Sequence, residues 1–201
     1  QIGEWVLRTA CSEAARWASP LSIAVNVSAV QLHSPAFAQT VLEVLLQTGL
    51  KPERLEIEIT ETALVRDITR AVATLRQVRG LGVHIAMDDF GTGYSSLANL
   101  RAFPFSRIKV DQSFIRSVDS NGQSAAIVRA VLGLGSGLNV PVVAEGVERP
   151  EELEFLRGET CQSAQGYLLS RPQDIGVFAE VTSGHSKALP PGVQLQLAKA
   201  G

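Results

Sequence analysis

The chain has 201 residues, of which 45% are hydrophobic and 19% charged, enough apolar material for one sizeable core and too little length for two average domains. Its 18 Lys+Arg against 20 Asp+Glu give a formal charge of -2, so no global positive field exists to hold duplex nucleic acid or an acidic membrane surface. Two cysteines, Cys11 and Cys161, exclude a disulfide framework and a Cys-rich zinc site and point to a reducing, cytoplasmic setting.

Short β-branched runs alternate with helical-period segments along the chain, the rhythm of a sheet with crossover helices. Gly3–Ala18 has Trp5, Val6, Ala10, Ala14 and Trp17 at roughly helical spacing; Leu21–Val27 is a strand, and Pro35–Thr48 is a helix ended by Gly49. Arg54–Ile59 alternates charged and apolar residues as a strand, Asp67–Arg79 is helical up to Gly80, and Gly82–Met87 is the next strand, followed by a loop from Asp89 to Tyr94. Ser106–Val110 is a strand, Gln123–Leu138 a long helix, Val140–Ala144 a strand and Pro150–Arg157 a helix with Pro in its first turn. Cys161–Ala164 makes the last strand and Asp174–Val181 the last helix, so the folded domain spans 1–181, with 182–201 a tail or linker rich in Pro and Gly. Apolar runs of a handful of residues fall far short of the ~18–20 that a membrane helix needs. The chain opens on Gln1 with a segment that reads as the middle of a fold, so upstream sequence is expected.

The C-terminal edges of these strands carry Asn26, Glu58, the pair Asp88 and Asp89, Lys109, Glu145 and Gln165. A closed parallel barrel converges such edges on one rim, where barrel enzymes place their chemistry, whereas an open sheet spreads them along a line; six polar ends of six favour the barrel. Parity agrees: Ile23, Val25 and Val27, or Val83, Ile85 and Met87, form faces that pack under helices, while Asn26, Glu58, Asp88 and Lys109 share the other face. Glu56 and Arg107 would then be deeper interior charges. Carboxylates, an amide and few histidines suit Mg²⁺ or Mn²⁺ rather than zinc, and two such ions serve phosphoryl chemistry. The structural alternative for any one of these acids is a cap on the following helix.

The run Asp88-Asp89-Phe90-Gly91-Thr92-Gly93-Tyr94-Ser95-Ser96-Leu97 resembles the EAL-domain phosphodiesterases, which open cyclic di-GMP to linear pGpG. Asn26-Val27-Ser28, Glu58-Ile59-Thr60-Glu61, Lys109-Val110-Asp111, Ala144-Glu145-Gly146-Val147-Glu148 and Gln165-Gly166-Tyr167 stand in family order, and the resemblance covers about Gly3 to Glu180. It implies a TIM-like (β/α)8 barrel of the EAL type, here missing its first one or two strand–helix units. It further implies that Asn26, Glu58, Asp88 and Asp89 hold two divalent ions, Mg²⁺ or Mn²⁺, with Asp88 between them and Asp89 on the second. Lys109 matches a lysine near the catalytic water, Glu145 an acid of the metal–water network, and Glu61 the anchor of the Asp89–Tyr94 loop. Gln165, Asp111 and Gly166 fall at substrate contacts, and the same loop implies a homodimer. The resemblance departs where no Glu-Ala-Leu triplet occurs, and where Val30 and Gln162 replace the arginine and aspartate common in relatives. A catalytically silent cyclic di-GMP receptor and a dimerising regulatory module are the rival readings.

Several features are decoys. Gly133, Gly135 and Gly137 imitate a dinucleotide motif but precede a strand instead of following one. His84 is read as structural, Trp5 and Trp17 as packing residues, and Cys161 as a small core residue. Glu151, Glu152 and Glu154 are read as a solvated helix start.

Overall fold

A computed structural model describes residues 1–65, 67–93 and 103–185 and divides the chain into two units, Gln1–Ser106 and Arg107–Gly201. In the first, a helix at Ile2–Ala15 buries Leu7, Cys11 and Ala14, positions at i, i+4 and i+7 that form one stripe. Burial pushes the Cys11 thiol up to about 11, and both cysteines are free. Strand β1 is Ile23–Asn26, β2 is Leu55–Thr60 and β3 is His84–Phe90. The three are parallel neighbours in sequence order, with Val25 opposite Ile57 and Ile57 opposite Ile85. These residues, with Ile59 and Met87, are buried against the helices, each side chain contributing about 1.5–3 kcal/mol over an exposed position.

Helices Phe37–Thr48 and Ile68–Gly80 form the crossovers. The first stops where Gly49 takes φ 72°, and the second starts where the Asp67 side chain accepts from Arg70 N–H. Arg54 pins the turn between the opening helix and β1 by donating to the carbonyls of Ala14 and Leu21, both at 2.8 Å.

In the second unit, β4 (Arg107–Val110), β5 (Val142–Ala144) and β6 (Ser163–Ala164) are again parallel and in sequence order. Sequential order within each unit is the order of a barrel wall, not of a doubly wound sheet, which reverses at a switch point. The long helix Gly122–Leu138 is capped by Asn121, which accepts from the N–H groups of Gln123 and Ser124. Its three spaced glycines lie inside the helix, and Gly135 leaves room for Val142 of β5 and the Val140 carbonyl. Helix Pro150–Gly158 follows β5, and the segment read as one helix over Asp174–Val181 is a 3-10 turn at Ile175–Phe178 followed by a helix at Ala179–Thr182.

Four differences from the sequence reading are informative. Short helices at Ala29–Leu32, Glu61–Val65 and Gln112–Ile115 have too few residues to show a period. Trp5, read as packing, is 65% exposed beside Ile2 and Val6, because the buried stripe of its helix is set by Leu7, Cys11 and Ala14. Arg107 is exposed where an interior charge was expected, since it opens β4 and lies at the strand's far end from Lys109; Glu56 is buried. Cys161 is half-buried, with its thiol donating to the Ser163 carbonyl at 3.3 Å. The tail beyond His185 and the loop residues from Tyr94 lie outside the described residues, within which no helix is long and apolar enough to cross a membrane.

Candidate functional site

In the first unit, register decides which side chains meet. Asn26 stands opposite Glu58, Glu58 opposite Ala86, and Asp88 lies two residues beyond Ala86, so all three polar residues share the face opposite Val25, Ile57 and Ile85. Neighbouring strands lie ~4.8 Å apart, a spacing across which side-chain oxygens can converge on one cation. Asn26 is exposed, whereas Glu58 and Asp88 are buried.

Asp89 departs from this face. Its φ of 53° puts it in the left-handed region, uncommon for a residue with a side chain, and begins a turn in which its carbonyl accepts from Thr92 N–H and from the Thr92 hydroxyl at 2.9 Å. Glu61, at the head of helix Glu61–Val65, is buried, and its Oε2 accepts from Gly91 N–H and Gly93 N–H, both at 3.1 Å. The two glycines serve different ends: Gly91 supplies φ 100°, while a Cβ on Gly93 would lie 2.9 Å from the Glu61 carboxyl carbon.

In the second unit, Lys109 stands opposite Val143 and Val143 opposite Ser163, so Lys109, Glu145 and Gln165 share a face. Lys109 Nζ is 2.7 Å from Glu145 Oε1, both side chains largely buried. Low dielectric strengthens such a pair and makes the loss of either partner costly. Glu145 N–H donates to the Val110 carbonyl at 3.1 Å and Gln165 N–H to the Ala144 carbonyl at 2.8 Å, which carries the ladder past the ends of β5 and β6. Gln165 is exposed at this edge. Asp111 acts as a cap, accepting from Ser113 N–H at 2.9 Å at the start of Gln112–Ile115. Gly146, at φ 68°, packs on Gln112, and Gly166 on the Val147 backbone, where a side chain at either position would collide.

One residue of this unit was misread. Glu152 is 2% exposed, not solvated. Its carboxylate accepts from the N–H groups of Glu148 at 2.9 Å, Arg149 at 3.1 Å and Ser117 at 3.3 Å, and from Arg149 Nε at 3.0 Å. Burial opposes its charge, but these donors together outweigh that cost and hold its carboxyl below the ordinary range. The available signal was Pro150 at the first helical position with Glu152 two residues on, at the capping-box position.

The donors on the face of β1–β3 are an amide oxygen and carboxylates, the hard set that Mg²⁺ and Mn²⁺ prefer. Glu58 and Asp88 also place two like charges on one face, a repulsion that a cation held between them would relieve, so the residues present fit the expected metal. His84 Nδ1 accepts a hydrogen bond from Arg79 Nη1 at 3.2 Å, a contact in keeping with a structural histidine.

The EAL domain family model matches residues 1–172. An uncharacterised signalling protein of Caulobacter vibrioides is 54% identical over 94% of this chain and 24% of its own length. MucR of Pseudomonas aeruginosa, named a bifunctional diguanylate cyclase/cyclic di-GMP phosphodiesterase, is 43% identical over 86% of this chain and 26% of its own. The solved MucR phosphodiesterase complex with cyclic di-GMP superposes with a TM-score of 0.84 at 42% identity, covering 88% of this chain and 73% of that one. A manganese and cyclic di-GMP complex of BlrP1 from Klebsiella pneumoniae has a TM-score of 0.79 at 33% identity, over 85% of this chain and 44% of that one. The chain thus spans about a quarter of the length of the curated relatives it matches, and its fold is that of part of an EAL (β/α)8 barrel.

Proposed function

We propose, for a chain that belongs to the EAL-domain family, that it hydrolyses cyclic di-GMP to linear pGpG in a metal-dependent reaction. The observation that carries this reading is the set of oxygen donors, Asn26, Glu58 and Asp88, on one face of three adjacent strands. The names of MucR and of the cyclic di-GMP complexes support it.

In this reading Asn26, Glu58, Asp88 and Asp89 would hold one or two Mg²⁺ or Mn²⁺ ions, which when bound supply Lewis-acid activation of water and neutralise phosphate charge. Hydrolysis adds water across one P–O bond: the oxygen joins phosphorus and a proton ends on the departing ribose oxygen. Lys109 presents a fixed positive charge to the phosphate as negative charge develops, and Glu145, held by that ammonium at 2.7 Å, orients the attacking water. Glu61 sets the turn that follows Asp89. Gln165, Asp111 and Gly166 contribute to the substrate side, Asp111 by fixing the helix after Lys109 and Gly166 by close backbone packing. Residues 1–181 form the cytoplasmic phosphodiesterase domain, 182–201 a tail, and the Asp89–Tyr94 loop a homodimer contact.

The test is to incubate the chain with cyclic di-GMP and Mn²⁺ or Mg²⁺ and follow linear product, with a chelator control. Metal-dependent product supports the enzyme. Binding of cyclic di-GMP with no product under any metal would replace it with a receptor.

A further inference from the structure

We infer that Glu152 is a positioning residue for the Lys109–Glu145 pair, an inference that rests on the hydrolytic reading above. Lys109 lies on β4 and Glu145 just past the end of β5, where the ladder stops with the Glu145 N–H to Val110 carbonyl bond, so how the two side chains are held together from there on depends on the segments that follow. After Lys109 the chain runs through helix Gln112–Ile115 to Ser117; after Glu145 it runs through Gly146 to Glu148 and Arg149 before helix Pro150–Gly158 begins. Glu152 joins the two. Its Oε1 accepts from Ser117 N–H on the first connection and Arg149 Nε on the second, while Oε2 accepts from the N–H groups of Glu148 and Arg149.

Other contacts bind the same two segments. The Arg149 guanidinium continues to Asp119, Arg116 lies 3.6 Å from Glu148, and Gly146 packs on Gln112 so closely that a Cβ has no room. These ion pairs are substantially exposed and contribute little on their own, whereas the Glu152 carboxylate is buried and accepts from both connections at once. Ser117 sits at φ 62°, a conformation that a residue with a Cβ takes up at some cost, and its N–H points at Glu152. Removing the carboxylate therefore frees Ser117 and the Glu148–Arg149 turn together and lets the pair beyond them shift. Misplacing a reacting group by ~1 Å can cost about 10²-fold in rate.

The experiment compares Glu152→Ala and Glu152→Gln with the unaltered chain, each assayed with cyclic di-GMP and Mn²⁺ well below its own unfolding midpoint. Glu152→Ala is expected to lower kcat about 10-fold to 100-fold while KM changes no more than about twofold. Glu152→Gln, which keeps one acceptor oxygen and the volume, is expected to fall between the two. Lost stability alone would leave kcat intact at that temperature, so an unchanged kcat in either folded variant, or a rise confined to KM, overturns the inference. A second readout is independent of turnover: the NMR resonances of the Lys109 side-chain ammonium shift in Glu152→Gln if the pair is displaced, and unchanged resonances overturn the inference even if Glu152→Ala fails to fold. Absence of product from the unaltered chain, by contrast, counts against the hydrolytic reading and leaves the resonance comparison to decide the role of Glu152.

Discussion

The strand ends of Gln1–Ser106 and those of Arg107–Gly201 carry different combinations of charged groups. The first set, Asn26, Glu58 and Asp88, consists of oxygen donors and carries net negative charge; the second holds Lys109 against Glu145 as a pair that is neutral overall. Carboxylates grouped on one face repel one another and suit a divalent cation, whereas a buried pair of opposite charge is attractive and gains rigidity from it. Under the proposed function the difference divides the work: the first face would recruit metal, and the second would hold a charge and a water-orienting group at fixed separation. Each also relies on a buried carboxylate nearby, Glu61 holding a turn within its own unit and Glu152 joining two connections.

The largest effect should come from breaking the first face. Asp88→Ala is expected to lower turnover by at least about 10³-fold and to remove measurable Mn²⁺ binding, read by product assay and by metal titration calorimetry. Retained turnover at saturating Mn²⁺ would take the metal out of this face. Lys109→Ala tests the second face and should separate from the first: kcat falls about 10²-fold to 10³-fold while Mn²⁺ affinity stays within a few fold. Parallel losses of kcat and metal affinity in that variant would erase the distinction between the two faces.

Much of this comparison was legible in the sequence, because a period of two is enough to sort a strand's residues onto faces. Val25 and Ile57 alternate with Asn26 and Glu58 in the sequence as they do in the sheet, and the register then adds only their pairing. What lies between the strands was harder to read. Asp111 is a polar residue just past β4, and its capping role appears only with the four-residue helix that it starts, too short to show a periodic pattern. Glu152 was hidden by Glu151 and Glu154, since three acids in one helical start look like one solvated surface until the chain's path shows which one turns inward. Trp5 failed for the opposite reason: aromatic bulk suggests a core, but the stripe through Leu7, Cys11 and Ala14 leaves it outside.

A smaller effect is expected at the turn after β3. Glu61→Gln keeps the side chain's size but offers Gly91 and Gly93 a weaker, neutral acceptor, and hydrogen bonds to charged groups contribute about 1.5–3 kcal/mol against roughly 1 for neutral ones. Amide exchange at Gly91 and Gly93 should accelerate about 3-fold to 30-fold, with turnover falling by a similar or smaller factor. Unchanged exchange would mean that the turn is held by the Asp89 carbonyl and Thr92 without help from Glu61.

The smallest effect is a pH dependence that belongs to the second unit. Glu152 has a folded pKa below its unfolded value, so it contributes stability that is full above the unfolded carboxylate range, near pH 4.3 in model peptides at roughly 25 °C, and is lost as pH falls through the depressed folded value. Proton uptake on acid unfolding at this site therefore steepens the loss of stability below about pH 4. Glu152→Gln removes the titrating group: its unfolding midpoint should lie below that of the unaltered chain at pH 7, and the gap should narrow as pH falls, measured by thermal melts across that range. A gap that stays constant with pH would mean that the carboxylate's charge is not what binds Ser117, Glu148 and Arg149 together.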